Sequence, residues 1–424
     1  MAIGALCAVL AGCSSPGGST LSTSLHFRPG TSTGEVPPRQ THLATEFVLH
    51  RFAGLADGSF PDTNLTNVKG TLYGTTITGG GGGSICSYGT VVGCGTVFTI
   101  TTGGSEKVLH VFGIKPDGRY PYAGLTKVRH ALYGTTGYGG GYTQFGPGTV
   151  FTVTTGGSEK VTHVFGSGTD GIYPRADLTD VNGTLYGTTE NGGTGQCKII
   201  NRTVSCGTVF KITTTGSESV LYSFGAGTDG RFPQAGLTNV NGALYGTTSE
   251  GGTHSRGTVF KITTSGAENV LYSFAGGTDG WLPQAALTNV NGTLYGTTTE
   301  GGAGCGYSSG CGTVFKITTS GAESVLYSFK GGADGWLPQA DLTNVNGTLY
   351  GTTYAGGTSN LGTVFKITTA GSESVLYSFK GGTDGATPIA ALTNVKGALY
   401  GTTWGGGAGC SSGRGCGTVF KVIP

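Results

Sequence analysis

LTNVNGALYGTTSEGGTHSRGTVFKITTSGAENVLYSF, residues 237–274, contains four short runs rich in Val, Thr, Tyr, Phe and Leu, each bounded by Gly or Asn. No apolar spacing near the helical period of about 3.6 residues runs through it, so the unit reads as four strands and no helix. We label them A (LTNV), B (LYGTT), C (GTVF) and D (VLYSF). Asn241-Gly242 between A and B is a strong hairpin signal, because both central residues of a type I′ turn need positive φ; it recurs at Asn182-Gly183, Asn291-Gly292 and Asn346-Gly347. GTVFKIT is nearly continuous in apolar or β-branched residues, as expected of a strand covered on both faces.

The unit returns seven times. LYGTT begins at Leu72, Leu132, Leu185, Leu244, Leu294, Leu349 and Leu399, and each copy is followed by GTVF. D runs end at Phe52, Phe112, Phe165, Phe224, Phe274, Phe329 and Phe379, each followed after 5 residues by an Asp-Gly and 4 beyond that by Pro. The chain enters on a D strand, Phe47 to Phe52, and stops on a C strand, Gly417 to Ile423. An open solenoid would leave both as exposed edges, whereas a ring pairs the first with the last and removes the seam. The expected fold is therefore all-β: a seven-bladed β-propeller of four-stranded blades over 47–424, its last blade closed by the N-terminal strand.

LYGTT, the Gly-rich stretch after it, GTVFKIT and VLYSF resemble the GloVer tandem-repeat proteins, described as "choice-of-anchor" because similar repeats occur with different surface anchors. The resemblance covers residues 47 to 424 and implies an exported, anchored protein. It carries no activity, substrate or catalytic residue.

Gly supplies 85 of the 424 residues, yet aromatics make up 10%, enough with the Val, Ile and Thr to build a core. Net charge is +2 with no basic run, which lacks the electrostatic footprint of a nucleic-acid binder. MAIGALCAVLAGC at the start is apolar and too short to span a bilayer, and Leu10-Ala11-Gly12-Cys13 resembles a bacterial lipobox. It reads as an export signal (1–13) with Cys13 the lipidation site and the only link to a membrane, although no Lys or Arg precedes it. A plain secretory signal or a chance apolar start are the alternatives. Residues 14–46, rich in Ser, Thr, Gly and Pro, read as a flexible tether. The expected location is extracellular or at the outer-membrane surface.

Most intervals are invariant across the copies, but from the Gly of LYGTT to the Gly of GTVF they run 21, 14, 20, 11, 16, 11 and 16. Only the B–C loop varies. In an up-and-down blade the B–C and D–A connections share a face, which makes that face the candidate functional surface. Eight cysteines fall in these loops as local pairs: Cys86 with Cys94, Cys197 with Cys206, Cys305 with Cys311, and Cys410 with Cys416. Disulfides are expected in an exported chain; zinc is the rival, but the spacing is not C-x-x-C and alternate blades are too far apart to share an ion.

Trp281 and Trp336 follow Asp-Gly, and Tyr354 and Trp404 follow LYGTT, so these four are candidate ligand-binding residues, against the alternative that they pack on the loop bases. The seven Asp-Gly carboxylates read as turn caps rather than a calcium ring. His50, His110 and His163 occupy the D-strand position held elsewhere by Tyr, on separate blades, so no metal site is expected. No G-x-S-x-G elbow or Ser-His-Asp set stands out, and no catalytic residue or cofactor is assigned. Asp177 and Asp341, where other copies carry Asn64, Gly124, Gly236, Ala286 and Ala391, form an irregular pair worth locating at the channel mouth. The expected function is a non-enzymatic binding module for an extracellular glycan or protein. The alternatives are a carbohydrate-active hydrolase or lyase using carboxylates near the channel, and a structural envelope protein.

Overall fold

The computed structural model describes residues 44–424 apart from 55, 82–85, 89–90, 114–115, 142–145, 167–168, 200–201, 408–409 and 411–414. The export signal, the tether before residue 44 and Cys13 lie outside the described residues.

Each repeat folds as one antiparallel four-stranded sheet in the order A, B, C, D; in the fourth these are Thr238–Val240, Ala243–Thr248, Thr258–Thr263 and Glu268–Ser273. The seventh sheet is completed as the phase of the ends requires. Thr45–Arg51 pairs with the last C strand, Thr418–Ile423, through Thr45↔Ile423, Phe47↔Lys421 and Arg51↔Thr418. The strand starts at Thr45, two residues before the expected Phe47, since Thr and Glu pair as readily as apolar residues at an outer, half-exposed edge. Two short 3-10 turns, Gly277–Asp279 and Gly332–Asp334, are the helical elements among the described residues, and both sit in D–A loops.

Asn241 and Gly242 have φ of 53° and 86°, the two positive values of a type I′ turn, and Asn239 Oδ1 accepts the Gly242 N–H at 2.9 Å. Lys69-Gly70 and Lys396-Gly397 make the same turn with Lys in the first position. The Gly of LYGTT is required for packing rather than for φ: a Cβ at Gly246 would lie 2.5 Å from Phe260 and 2.9 Å from Leu237, and the other six copies meet the same two partners.

B and C strands are buried on both faces, while D strands are half-exposed. Apolar clusters bridge neighbouring blades: Val240, Tyr245, Val259 and Phe274 of the fourth pack with Leu287, Leu294, Phe315 and Ile317 of the fifth. Every D-strand Phe meets the next blade's C-strand Phe edge-to-face at 5.0 to 5.2 Å, including Phe52 on Phe98 across the closure. Such a pair contributes about 0.5–1.5 kcal/mol beyond its burial. The first hydroxyl of each A strand donates to the next blade's Leu carbonyl (Thr66 to Leu125, then Thr126 to Leu178), and the circle closes with Thr393 to Leu65. The A strands thus line the centre of a closed ring.

Candidate functional site

The residue before each D–A proline holds a positive φ of 52° to 61°, although it is Phe60, Tyr120, Tyr173, Phe232, Leu282, Leu337 or Thr387 and never Gly. Such a conformation costs on the order of 1–3 kcal/mol and persists only where surroundings enforce it. Two backbone bonds do so. Phe232 N donates to Cys206 O at 2.9 Å, while Phe232 O accepts Ser249 N at 3.2 Å. In the cysteine-bearing repeats the first acceptor is the second cysteine, fully buried at Cys94, Cys206, Cys311 and Cys416. All four expected disulfides form, with Cα separations of 5.1 to 5.7 Å, so each staple anchors the base of a B–C loop under the next D–A segment. Short antiparallel bridges join D–A to B–C in every blade, from Ser59↔Thr78 to Ala386↔Gly405, placing both connections on one face.

The residue after each proline follows this strained one, and at five of the seven positions, Asp62, Tyr122, Gln284, Gln339 and Ile389, it lines a cavity beside the A strands. Those seven positions are Asp62, Tyr122, Arg175, Gln234, Gln284, Gln339 and Ile389, chemically varied in an otherwise repetitive ring. Arg175 lies over the Tyr122 ring at 4.9 Å and pairs with Glu190 at 2.7 Å; Gln284 Nε2 donates to Gln234 Oε1 at 3.1 Å. Burial pushes the Asp62 carboxyl up to about 8, against the pull of the Arg175 charge.

Two residues deeper, Asp177 and Asp341 line one cavity of about 130 Å³ with Asn64. The irregular pair does converge. Burial first, and then the Asp341 charge, raise Asp177 to about 6, while burial raises Asp341. Each also binds backbone across a blade seam: Gly124 N donates to Asp177 Oδ1 and Ala286 N to Asp341 Oδ1, both at 2.6 Å, as Ala391 N does to Asn64 Oδ1 at 2.7 Å. Asn64 Nδ2 donates to Asp177 Oδ2 at 3.1 Å. The carboxylates are therefore seam ties at the floor of the mouth.

A larger cavity of about 450 Å³ opens on the loop face between the third and fourth blades. Its wall is the third B–C loop, which forms a hairpin of Gln196–Ile199 with Arg202–Ser205, held at its base by Cys197–Cys206. Gln196, Lys198 and Thr203 face Gly225, Asp229, Arg231 and Ser255 across the groove. Arg231 is fixed by Glu250 at 2.9 Å and by donating to Lys198 O at 3.0 Å. Polar side chains and apolar surface share the lining, and the hairpin is tied by Cys197–Cys206 at its base and by the Arg231 bond to Lys198 O, so the groove is preformed.

The aromatic candidates lie on this face but are not gathered together. Trp281 sits under Arg256 at 3.8 Å, Trp336 under Tyr307 at 4.7 Å, and Trp404 on Phe60 at 4.8 Å; Tyr354 is half-buried. The stacked Trp336 and Tyr307 pair is the more open one, Tyr307 being 54% exposed. The Asp-Gly carboxylates cap their loops as expected, Asp229 Oδ2 accepting Gly225 N at 2.7 Å. His50, His110 and His163 take the Tyr role, each Nε2 lying 3.1 to 3.3 Å from its own Asp where Tyr222 donates to Asp229 at 2.9 Å.

The model of a family described as Gloeobacter/Verrucomicrobia repeat matches residues 32–201, 83–308 and 303–424. No curated protein matches the chain. Among solved structures, the BP39L lectin of Burkholderia pseudomallei superposes with TM-score 0.52 at 10% identity, over 81% of this chain and 92% of that one. The periplasmic gluconolactonase PpgL of Pseudomonas aeruginosa gives 0.50 at 13% identity, over 83% and 99%. The GH74 enzyme of Niastella koreensis gives 0.50 at 11% identity, over 86% and 61%. At these identities the likeness is one of fold.

Proposed function

The chain belongs to the Gloeobacter/Verrucomicrobia repeat family, and we propose that it is an exported, non-enzymatic propeller that binds an extracellular glycan on its loop face. The observation that carries the reading is the groove of about 450 Å³, which mixes polar side chains with apolar surface and is walled by a disulfide-held hairpin. Outside the B–C loops the intervals of the repeat are fixed, so recognition belongs in those loops, where length and chemistry depart from the repeat. Hydroxyl-bearing ligands need fixed donors and acceptors of the kind Gln196, Lys198, Thr203 and Ser255 present. Trp281, Trp336, Tyr354 and Trp404 flank the same face as further contact surfaces, Trp336 with Tyr307 foremost. A lectin among the fold neighbours is compatible with this use. The four disulfides fit an oxidising compartment, and Cys13 is the proposed point of lipid anchoring.

The second reading, a carbohydrate-active enzyme, rests on Asp177 and Asp341 sharing the channel-mouth cavity. Against it, both carboxylates already accept seam N–H groups, and a cavity of about 130 Å³ is small beside the roughly 300–1,000 Å³ of ligand pockets.

A glycan array probed with the purified chain separates these. Binding is expected, weakened about tenfold or more by Gln196→Ala with Lys198→Ala, exposed positions whose loss leaves the fold intact. Glycans cleaved rather than retained, with turnover lost in Asp177→Asn, would favour the enzyme. Binding lost only in Trp281→Ala or Trp336→Ala would move the site to the aromatic residues, and a blank array would leave the structural envelope role.

A further inference from the structure

Every D strand carries a Glu at its start, or second after Thr45 in the N-terminal strand, and a His or Tyr four residues later, so the side chain at the later position in one blade faces both the Asp of its own D–A loop and the Glu of the next blade. Where it is Tyr, the hydroxyl donates to the Asp. In three blades the residue is His, and in two of these the ligand atoms, of His110, Asp117 and Glu159 and likewise of His163, Asp170 and Glu218, lie within 4.8 Å of one another. We propose that these two inter-blade sites each bind a divalent transition-metal ion of the zinc class, through one imidazole nitrogen and two carboxylates, with water in the remaining position.

His110 Nε2 is 3.2 Å from Asp117 Oδ2 and 4.0 Å from Glu159 Oε2. Bonds of about 2.0–2.2 Å in a tetrahedron place donors roughly 3.3 Å apart, so the first separation already fits and the second closes with a side-chain shift of less than about 1 Å. At the other site His163 Nε2 is 3.1 Å from Asp170 Oδ2. Gly118 N and Gly171 N bond the Oδ1 atoms of Asp117 and Asp170 at 2.8 and 2.7 Å, which fixes both carboxylates and leaves each Oδ2 turned toward the imidazole. Glu159 Oε1 and Glu218 Oε1 are buried without a hydrogen-bond partner, as is the same atom of the other D-strand glutamates, so it is the histidine that sets these two seams apart. The histidine side chains stay 18% to 20% exposed, which leaves an entry route. Mixed nitrogen and oxygen donors in a set of three suit zinc or cobalt; calcium needs six to eight oxygens. The histidines do sit on separate blades, but the ligands that converge on each come from its own loop and the next blade, not from the other histidines.

The repeat supplies its own control, because Tyr is native at this position in four blades. The oxidised full-length chain, stripped with EDTA, is titrated with Zn²⁺ by calorimetry and with Co²⁺ by visible absorption. Two ions per chain are expected, one in His110→Tyr, one in His163→Tyr, and at least about 100-fold weaker binding in the double variant, with an unchanged far-ultraviolet spectrum. No binding below about millimolar, or two ions retained by the double variant, overturns the proposal. If a Tyr variant loses its fold, His110→Gln and His163→Gln replace it and the same stoichiometries decide.

Discussion

Removing every residue before Ala53 is expected to abolish cooperative folding of the ring. Thr45–Arg51 supplies the whole outer strand of the last blade, and Phe52 is fully buried against Phe98 at 5.1 Å. Truncation opens the Thr418–Ile423 edge and a phenylalanine-sized hole at the seam between last and first blades. Phe52→Ala alone should cost about 3–5 kcal/mol, a large part of the roughly 5–15 kcal/mol that holds an ordinary domain together. Urea unfolding followed by tryptophan fluorescence measures both. A truncated chain with the midpoint of the full one would show that the ring does not depend on this strand.

The second large effect is on stability against pH, and it runs opposite to ordinary acid denaturation. Burial, followed by the charge of the preceding blade's loop aspartate, raises Glu46, Glu159, Glu218, Glu268, Glu323 and Glu373 from an ordinary value of 4.5 to about 7. Between those values the folded chain keeps protons that the unfolded chain has released, so raising pH favours unfolding. The stability is fully present below pH 4.5 and is lost as pH rises through about 7. Allowing for solvent screening of half-exposed groups, about 1 kcal/mol for each glutamate is reasonable. Denaturation midpoints measured in EDTA should therefore be clearly higher at pH 5 than at pH 8. A flat profile, or one rising toward pH 8, would contradict the burial of these glutamates as protonated carboxyls.

The ring was legible because its determinants are periodic. Fixed intervals from Phe to Asp to Leu mark the scaffold, and the mismatch between a D-strand start and a C-strand end requires closure. Cysteine pairing was legible too, since each pair sits within one loop. Less visible was anything that depends on contact between blades. Glu159 and Glu218 are simply the first residues of strands in the sequence; only the ring brings them to His110 and His163. Phe60 and its equivalents look like apolar residues before proline, and their positive φ follows from two backbone bonds to distant loops. Asp177 and Asp341 stood out by breaking the repeat, but their bonds to Gly124 and Ala286 could not be read from spacing. Each tryptophan stacks on a different neighbour, a partner choice that spacing in the repeat does not encode.

Hydrogen exchange of the chain with and without a glycan found on the array tests the binding-face claim most directly. Protection should concentrate in residues 196–199, 202–205, 225–231 and 251–255, around the groove between the third and fourth blades. Protection confined to the A–B turns near Asn182-Gly183 or the C–D turns near Gly216, on the opposite face, would contradict it.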